Sequence, residues 1–400
     1  MKKIIFCLII FILFITPIKA LPLPVDVTAD AVVLINLDKD QIIYEKNPDK
    51  QEILASLTKI MTAYTVINHV ENLDKKITIT EADIANLYGF TCIGLEVGDK
   101  VSYLDLLYGT LLHSGADASQ ALAIHTAGST EEFKKMMNEE AKKLGLRNTN
   151  FEDSYGGHDD NISTARELAE LLKEALKNET FKKIFSCNQK TLSNGLIVYN
   201  YTKNFAIFHG LDETLLTGNK SGYTPEAGLL LASTATINNT NYALIVMKSE
   251  VNSYMSQHVL DTYKIYDYVS TLTFETKTII HKDSILKRIN VENGTISEYV
   301  VTAEKDINLT LTPEEHSQVI VEYHIADKIT PDNKKGDNLG YIDILIGDNI
   351  IETYNIYLQD EIYSYQEESK VSIVLIIGLL CLIFIILCTN LFNFKKKKFK

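Results

Sequence analysis

At 400 residues, with 46% hydrophobic and 23% charged residues, the chain is longer than one ordinary domain and too apolar to be disordered. Its net charge is −13, although lysines crowd both ends (Lys2, Lys3 and Lys19; Lys395 to Lys398 and Lys400), so the stretch between them is more acidic still. Such a body repels polyanions, which excludes a nucleic-acid partner.

Met1-Lys2-Lys3 precedes a dozen apolar residues and then Thr16-Pro17-Ile18-Lys19-Ala20, the pattern of a secretory signal peptide over 1–20. At the far end, 371–393 is almost wholly apolar and is followed by the basic tail 394–400. That length spans a bilayer as a helix, and the lysines mark its cytoplasmic side. The expected location is therefore the extracytoplasmic face of a bacterial cell membrane, with a single-pass C-terminal anchor and a polar stalk over 361–370. Cys92 and Cys187 are the body's two cysteines, and spacing alone leaves their pairing open.

Within the body, 31–37 reads as a strand and 41–45 as its return partner, turned at Asp38-Lys39-Asp40. Helical spacing follows over 56–70, 103–112, 117–127, 131–144 and 164–176, the last with Ser163 as its cap. Apolar runs at 227–233 and 242–247 read as buried strands, and 257–269 as a final helix. Strand pair, helices, strand pair and helix make an α+β domain over 21–271 built on an antiparallel sheet. From 275 to 360 the texture changes to short β-branched runs at 277–280, 307–311, 319–325 and 341–346, parted by turn signals such as Asn293-Gly294. This predicts a small all-β domain.

Three places carry chemistry. Ser56-Leu57-Thr58-Lys59 sets a hydroxyl and an amine three residues apart on one helix face, where a neutral lysine can activate a serine. Burial or a neighbouring cation would keep Lys59 neutral. Ser114-Gly115 breaks the chain between two helices, where a hydroxyl can face a cleft and relay a proton. Lys220-Ser221-Gly222, with Thr224, offers a cation for a carboxylate and a glycine beside which a peptide can lie. His158-Asp159-Asp160 raises the possibility of a metal site but has no second histidine at ligand spacing.

Taken in order, Ser-x-x-Lys, a Ser-Gly break and Lys-[Ser/Thr]-Gly follow the signature of penicillin-binding proteins and serine β-lactamases. The chain resembles the low-molecular-mass penicillin-binding proteins, the serine-type D-alanyl-D-alanine carboxypeptidases. The run 55–62 (ASLTKIMT), Met137-Asn138, Leu144-Gly145, Ser163-Thr164-Ala165 and Lys220 to Thr224 carry the resemblance. It implies a β-lactamase/transpeptidase-like fold and hydrolysis of the terminal D-alanine from peptidoglycan pentapeptides, with β-lactams as covalent inhibitors and no metal or organic cofactor. It further implies Ser56 as nucleophile, Lys59 as general base, Ser114 as proton relay and Lys220 for the terminal carboxylate. Ser221, Gly222 and Thr224 join it in substrate binding. One position departs from the pattern: the family's Ser-x-Asn reads Ser114-Gly115-Ala116 here. A β-lactamase, or a β-lactam-acylated sensor or wall-binding protein with weak turnover, stands as the alternative.

Overall fold

In a computed structural model the described residues are 21–364, except 23 and 348, together with 375–377, 379–380 and 382–383. The chain divides into two compact units that part between Leu272 and Thr273.

In the first unit the apolar, wholly buried run Ala31–Asn36 (β1) turns back as Gln41–Lys46 (β2). Three long strands arrive much later: Leu216–Thr224 (β3), Gly228–Ile237 (β4) and Thr240–Ser249 (β5). The sheet order is β2-β1-β5-β4-β3, antiparallel throughout, with Leu21–Pro22 added in parallel outside β2. β5 pairs directly with β1, Val33 lying opposite Ile245.

Period-two burial divides the sheet residues between two layers. Ala31, Val33, Ile35, Ala243, Ile245 and Met247 enter the main core. On the other face the C-terminal helix of the unit, Gln257–Thr271, packs over β4 and β5, with Tyr266 bonded to Ser233. Its Asp261 ties the ends of the sheet together, accepting hydrogen bonds from Thr28, Ala29 and Ser249.

The main core also takes the helices Thr58–His69 (α1), Tyr103–Leu111 (α2), Ala116–Ala127 (α3), Thr130–Lys143 (α4) and Ala165–Ala175 (α5). α1 contacts α2 through α5 and is the axle of this helical layer. The predicted helices and strand pairs occur within a residue or two at most ends, with two corrections. Thr164, not Ser163, caps α5, its hydroxyl accepting from the Glu167 N–H. Ser163 is held in a short strand opposite Glu52, and its Oγ lies 2.6 Å from Thr149 Oγ1. The Lys220 stretch, which sequence suggested only as a strand edge, is the full nine-residue strand β3.

Over its described residues 273–364 the second unit is all-β save one short helix, Pro313–Ser317. Glu275–Ile280 pairs with Ile307–Leu311, Ile285–Val291 with Glu298–Thr302, and Val319–Ile325, Asn338–Ile346 and Asn349–Tyr357 form a third sheet. The pairs at 285–302 and the last strand lacked a clean alternation and were missed by pattern.

The expected signal peptide 1–20 and tail 394–400 lie outside the described residues, as does most of the expected span 371–393, whose described pieces are helical. Among the described residues no helix is long and apolar enough to cross a membrane.

Candidate active site

Ser56 sits in a 3-10 turn, Ala55–Leu57, that runs straight into α1. In such a turn residues three apart are eclipsed, which brings Lys59 over Ser56 more closely than a regular helix would. The distance between Lys59 Nζ and Ser56 Oγ is 3.0 Å. Entry to the turn requires Ala55 to adopt φ +42, a left-handed backbone that costs a non-glycine residue of order 1 kcal/mol or more.

Lys59 is 2% exposed, and its amine also donates to the Tyr155 carbonyl at 2.6 Å. Burial brings its pKa down to about 7, against the opposing pull of the Asp153 and Asp117 carboxylates. A neutral amine with one N–H held by Tyr155 can turn its lone pair to the Ser56 O–H.

Tyr155 is placed by a loop that the motif reading did not single out. The Asp153 carboxylate accepts four backbone N–H bonds, from Tyr155, Gly156, Gly157 and His158, at 2.5 to 2.9 Å. Gly156 has φ +82 and lies against the Ala55 carbonyl so closely that a Cβ there would stand 1.8 Å from the oxygen. An Asp three residues ahead of Gly-Gly is an Asx-turn signal, and it was the available clue. His158, the candidate metal residue of the same loop, uses Nδ1 to accept from the Asp160 N–H.

Ser114 stands between α2 and α3 with φ +63, another left-handed non-glycine. Its Oγ lies 3.0 Å from Lys220 Nζ, and Lys220 also donates to the Ser221 carbonyl at 2.6 Å. Lys220 is as buried as Lys59, and burial first and the Lys59 charge second push it well below the ordinary lysine range. Gly222 shows why β3 carries a glycine here: a Cβ would meet the Ser56 N–H nitrogen at 3.1 Å and that of Leu57 at 3.3 Å. Ser56, Lys59, Ser114, Lys220, Ser221 and Gly222 therefore converge at one end of the sheet. Thr224 Oγ1 instead accepts from the Ala227 N–H and closes the β3–β4 turn. Among the described residues β3 has a strand partner on one side only, leaving an edge open for an extended peptide.

Ala116, where the resemblance predicts asparagine, is a buried first residue of α3 whose N–H donates to the Thr91 carbonyl. The following Asp117 accepts from the N–H groups of Ile93, Gly94 and Leu95 and so fastens the 91–95 loop to α3. Cys92 in that loop is a free thiol, as is Cys187. Burial and the Asp117 charge push the Cys92 thiol upward, which keeps it protonated at neutral pH.

Residues 18–251 match the family model described as D-alanyl-D-alanine carboxypeptidase, Peptidase S11. The chain belongs to the D-alanyl-D-alanine carboxypeptidase family. It is a serine peptidase of the low-molecular-mass penicillin-binding type. Residues 274–364 of this carboxypeptidase match the C-terminal domain of penicillin-binding protein 5. It is 30% identical over 326 residues to the D-alanyl-D-alanine carboxypeptidase DacF of Bacillus subtilis, covering 78% of this chain and 80% of that protein. A D-alanyl-D-alanine endopeptidase of Escherichia coli is 29% identical over 56% of this chain and 72% of its own length. The crystal structure of penicillin-binding protein 5 from Haemophilus influenzae superposes with a TM-score of 0.63 at 25% identity, over 85% of this chain and 99% of that one.

Proposed function

We propose that this carboxypeptidase removes the terminal D-alanine of D-alanyl-D-alanine peptidoglycan peptides through an acyl-ester on Ser56. The observation that carries the reading is the buried Lys59 amine, 3.0 Å from the Ser56 hydroxyl and titrating near neutrality. Ser56 Oγ attacks the carbonyl between the two D-alanines while its proton passes to Lys59 Nζ. The tetrahedral oxyanion is held by the Ser56 N–H and an N–H of β3 beside Gly222. Lys220 takes the terminal carboxylate, whose charge favours the protonated amine despite its burial. Ser114, bonded to Lys220, passes the proton to the departing D-alanine nitrogen. Water, deprotonated by Lys59, then hydrolyses the ester. Ser221 and Gly222 supply the strand edge on which the peptide lies, and Thr224 supports its turn.

Incubation of the soluble 21–370 fragment with benzylpenicillin, followed by intact-mass measurement, tests the nucleophile. One adduct on the parent and none on Ser56→Ala is expected; an adduct on both would move the nucleophile elsewhere. Release of D-alanine from a D-Ala-D-Ala peptide then separates the enzyme from a β-lactam-acylated sensor.

The pH dependence follows from Lys59. The amine must be unprotonated to accept the Ser56 proton, so the acylation rate falls about tenfold for each pH unit below about 7. A profile flat from pH 5 to 8 would rule Lys59 out as the titrating base.

The basic, apolar start of the chain and the apolar run 371–393 before the lysine tail support a body that works on the outer face of the cell membrane, tethered at its C-terminus.

A further inference from the structure

His113, Tyr199 and Tyr201 form a triangle of rings, with centroids 5.3 Å apart for His113–Tyr201, 5.8 Å for the two tyrosines and 5.9 Å for His113–Tyr199. The tyrosines are 40% and 47% exposed, unusual for two adjacent large aromatics that already pack on a third ring. Both attachments of the triangle lead to the carboxylate end of the site. His113 is the residue before Ser114. Asn200, between the tyrosines, is buried and donates to the carbonyl of Asn219, the residue before Lys220. Burial first, against the pull of Asp117, and then the Lys220 charge hold His113 below the ordinary histidine range, and its Nδ1 is buried without a hydrogen-bond partner. A separate ring pair, Phe90 edge-on against Tyr155, lies at the loop whose carbonyl holds Lys59.

We propose that Tyr199 and Tyr201, backed by His113, wall off the space beyond the terminal carboxylate and so restrict cleavage to the last residue of the peptide. This rests on the assignment of Lys220 to the carboxylate in the reading above. With Lys220 and Ser114 fixing the carboxylate and the departing nitrogen, on this proposal the tyrosine rings, tied to Asn219 through Asn200 and to Ser114 through His113, stand across the path of any leaving group longer than one residue. Rings fixed on a triangle and a buried asparagine do not swing aside as single side chains on a free loop would. Exclusion by shape is the economical route here, because a carboxylate contact alone discriminates only by the binding it adds. The bond broken is the same with either leaving group: the nitrogen takes the proton from Ser56, and water regenerates the hydroxyl.

The test compares diacetyl-L-Lys-D-Ala-D-Ala with the same peptide extended by Gly-Gly, scoring within each protein the ratio of cleavage rates between the two D-alanines. The full chain is used as parent, beside Tyr199→Ala/Tyr201→Ala and Tyr199→Phe/Tyr201→Phe. The parent is expected to favour the short peptide by about a hundredfold or more, and the alanine pair to shrink that preference by about tenfold or more. The phenylalanine pair keeps the rings and retains the parent preference. An alanine pair that binds penicillin and keeps the parent ratio overturns the wall and leaves the carboxypeptidase reading standing. A parent that takes up penicillin but releases no D-alanine overturns the carboxypeptidase reading, and the wall with it.

Discussion

Lys59→Met is expected to lower the rate of acylation by benzylpenicillin about a thousandfold while raising the melting temperature. The loss follows from removing the only amine within hydrogen-bond reach of Ser56 Oγ among the described residues, a general base being worth about 10² to 10⁴ in rate. The gain follows from burial. A lysine that titrates near 7 in the folded protein and at 10.5 in the unfolded chain costs the fold on the order of 4 kcal/mol at neutral pH. Methionine fills much of the same volume and loses the Tyr155 carbonyl contact, worth about 1–3 kcal/mol. A net gain of about 2 kcal/mol raises the melting temperature of a unit this size by about 5 °C. The sign also fixes the pH trend. Between about pH 7 and 10.5 the unfolded chain holds the Lys59 proton that the folded protein has lost, so parent stability climbs with pH across that window. The advantage of Lys59→Met therefore narrows as pH rises. Acylation at the parent rate would remove Lys59 as the base; a lower melting temperature at neutral pH would mean that the buried amine stabilises the fold.

Gly156→Ala is the second large effect, at a residue that does no chemistry. The new methyl would stand 1.8 Å from the Ala55 oxygen and 2.3 Å from its carbon, on a backbone already at φ +82. Either the Asp153 loop moves away or the Ser56 turn does, and both movements pull Lys59 off its serine. A cost of about 3 kcal/mol or more is expected in a denaturant melt, with acylation slowed about a hundredfold. Gly98→Ala separates the two causes. Its φ is +97 and nothing lies within 4 Å of the added methyl, so it bears the backbone cost alone, about 1 kcal/mol. Equal effects of the two substitutions would sink the steric argument, as would parent-like acylation by Gly156→Ala.

Much of this site was legible in sequence because its chemistry is local. Ser56 and Lys59 are three residues apart, and any helical turn brings them together. The strands at 31–36 and 240–249 are largely unbroken apolar runs, the pattern imposed wherever a sheet is covered on both faces. What escaped depends on backbone carbonyls and on packing, which no residue type announces. The Tyr155 carbonyl that holds Lys59 belongs to a residue whose side chain is elsewhere, against Phe90. The Thr164 cap looks no different in sequence from Ser163 beside it; pairing of Gln51–Ile53 with Ile162–Thr164 decided between them. The ring triangle joins His113 to Tyr199 and Tyr201, residues with no periodic relation, and the Asn200–Asn219 bond that ties the tyrosines to β3 has no mark in sequence either.

The neighbouring of β1 and β5 has a consequence for how the molecule comes into being. A chain grows from its N-terminus, yet β1, which has β2 beside it at once, gains its second neighbour only when Thr240–Ser249 has been made, and β3, which carries Gly222 to the Ser56 N–H, arrives scarcely earlier. Contacts so remote in the chain make for slow, late folding, since a long loop must close before any of them is rewarded. A nascent chain that ends short of β3 has Ser56 and Lys59 but lacks Lys220 and Gly222. Truncated or still-growing molecules are thus silent toward substrate and antibiotic alike, and reactivity appears as a property of the finished unit.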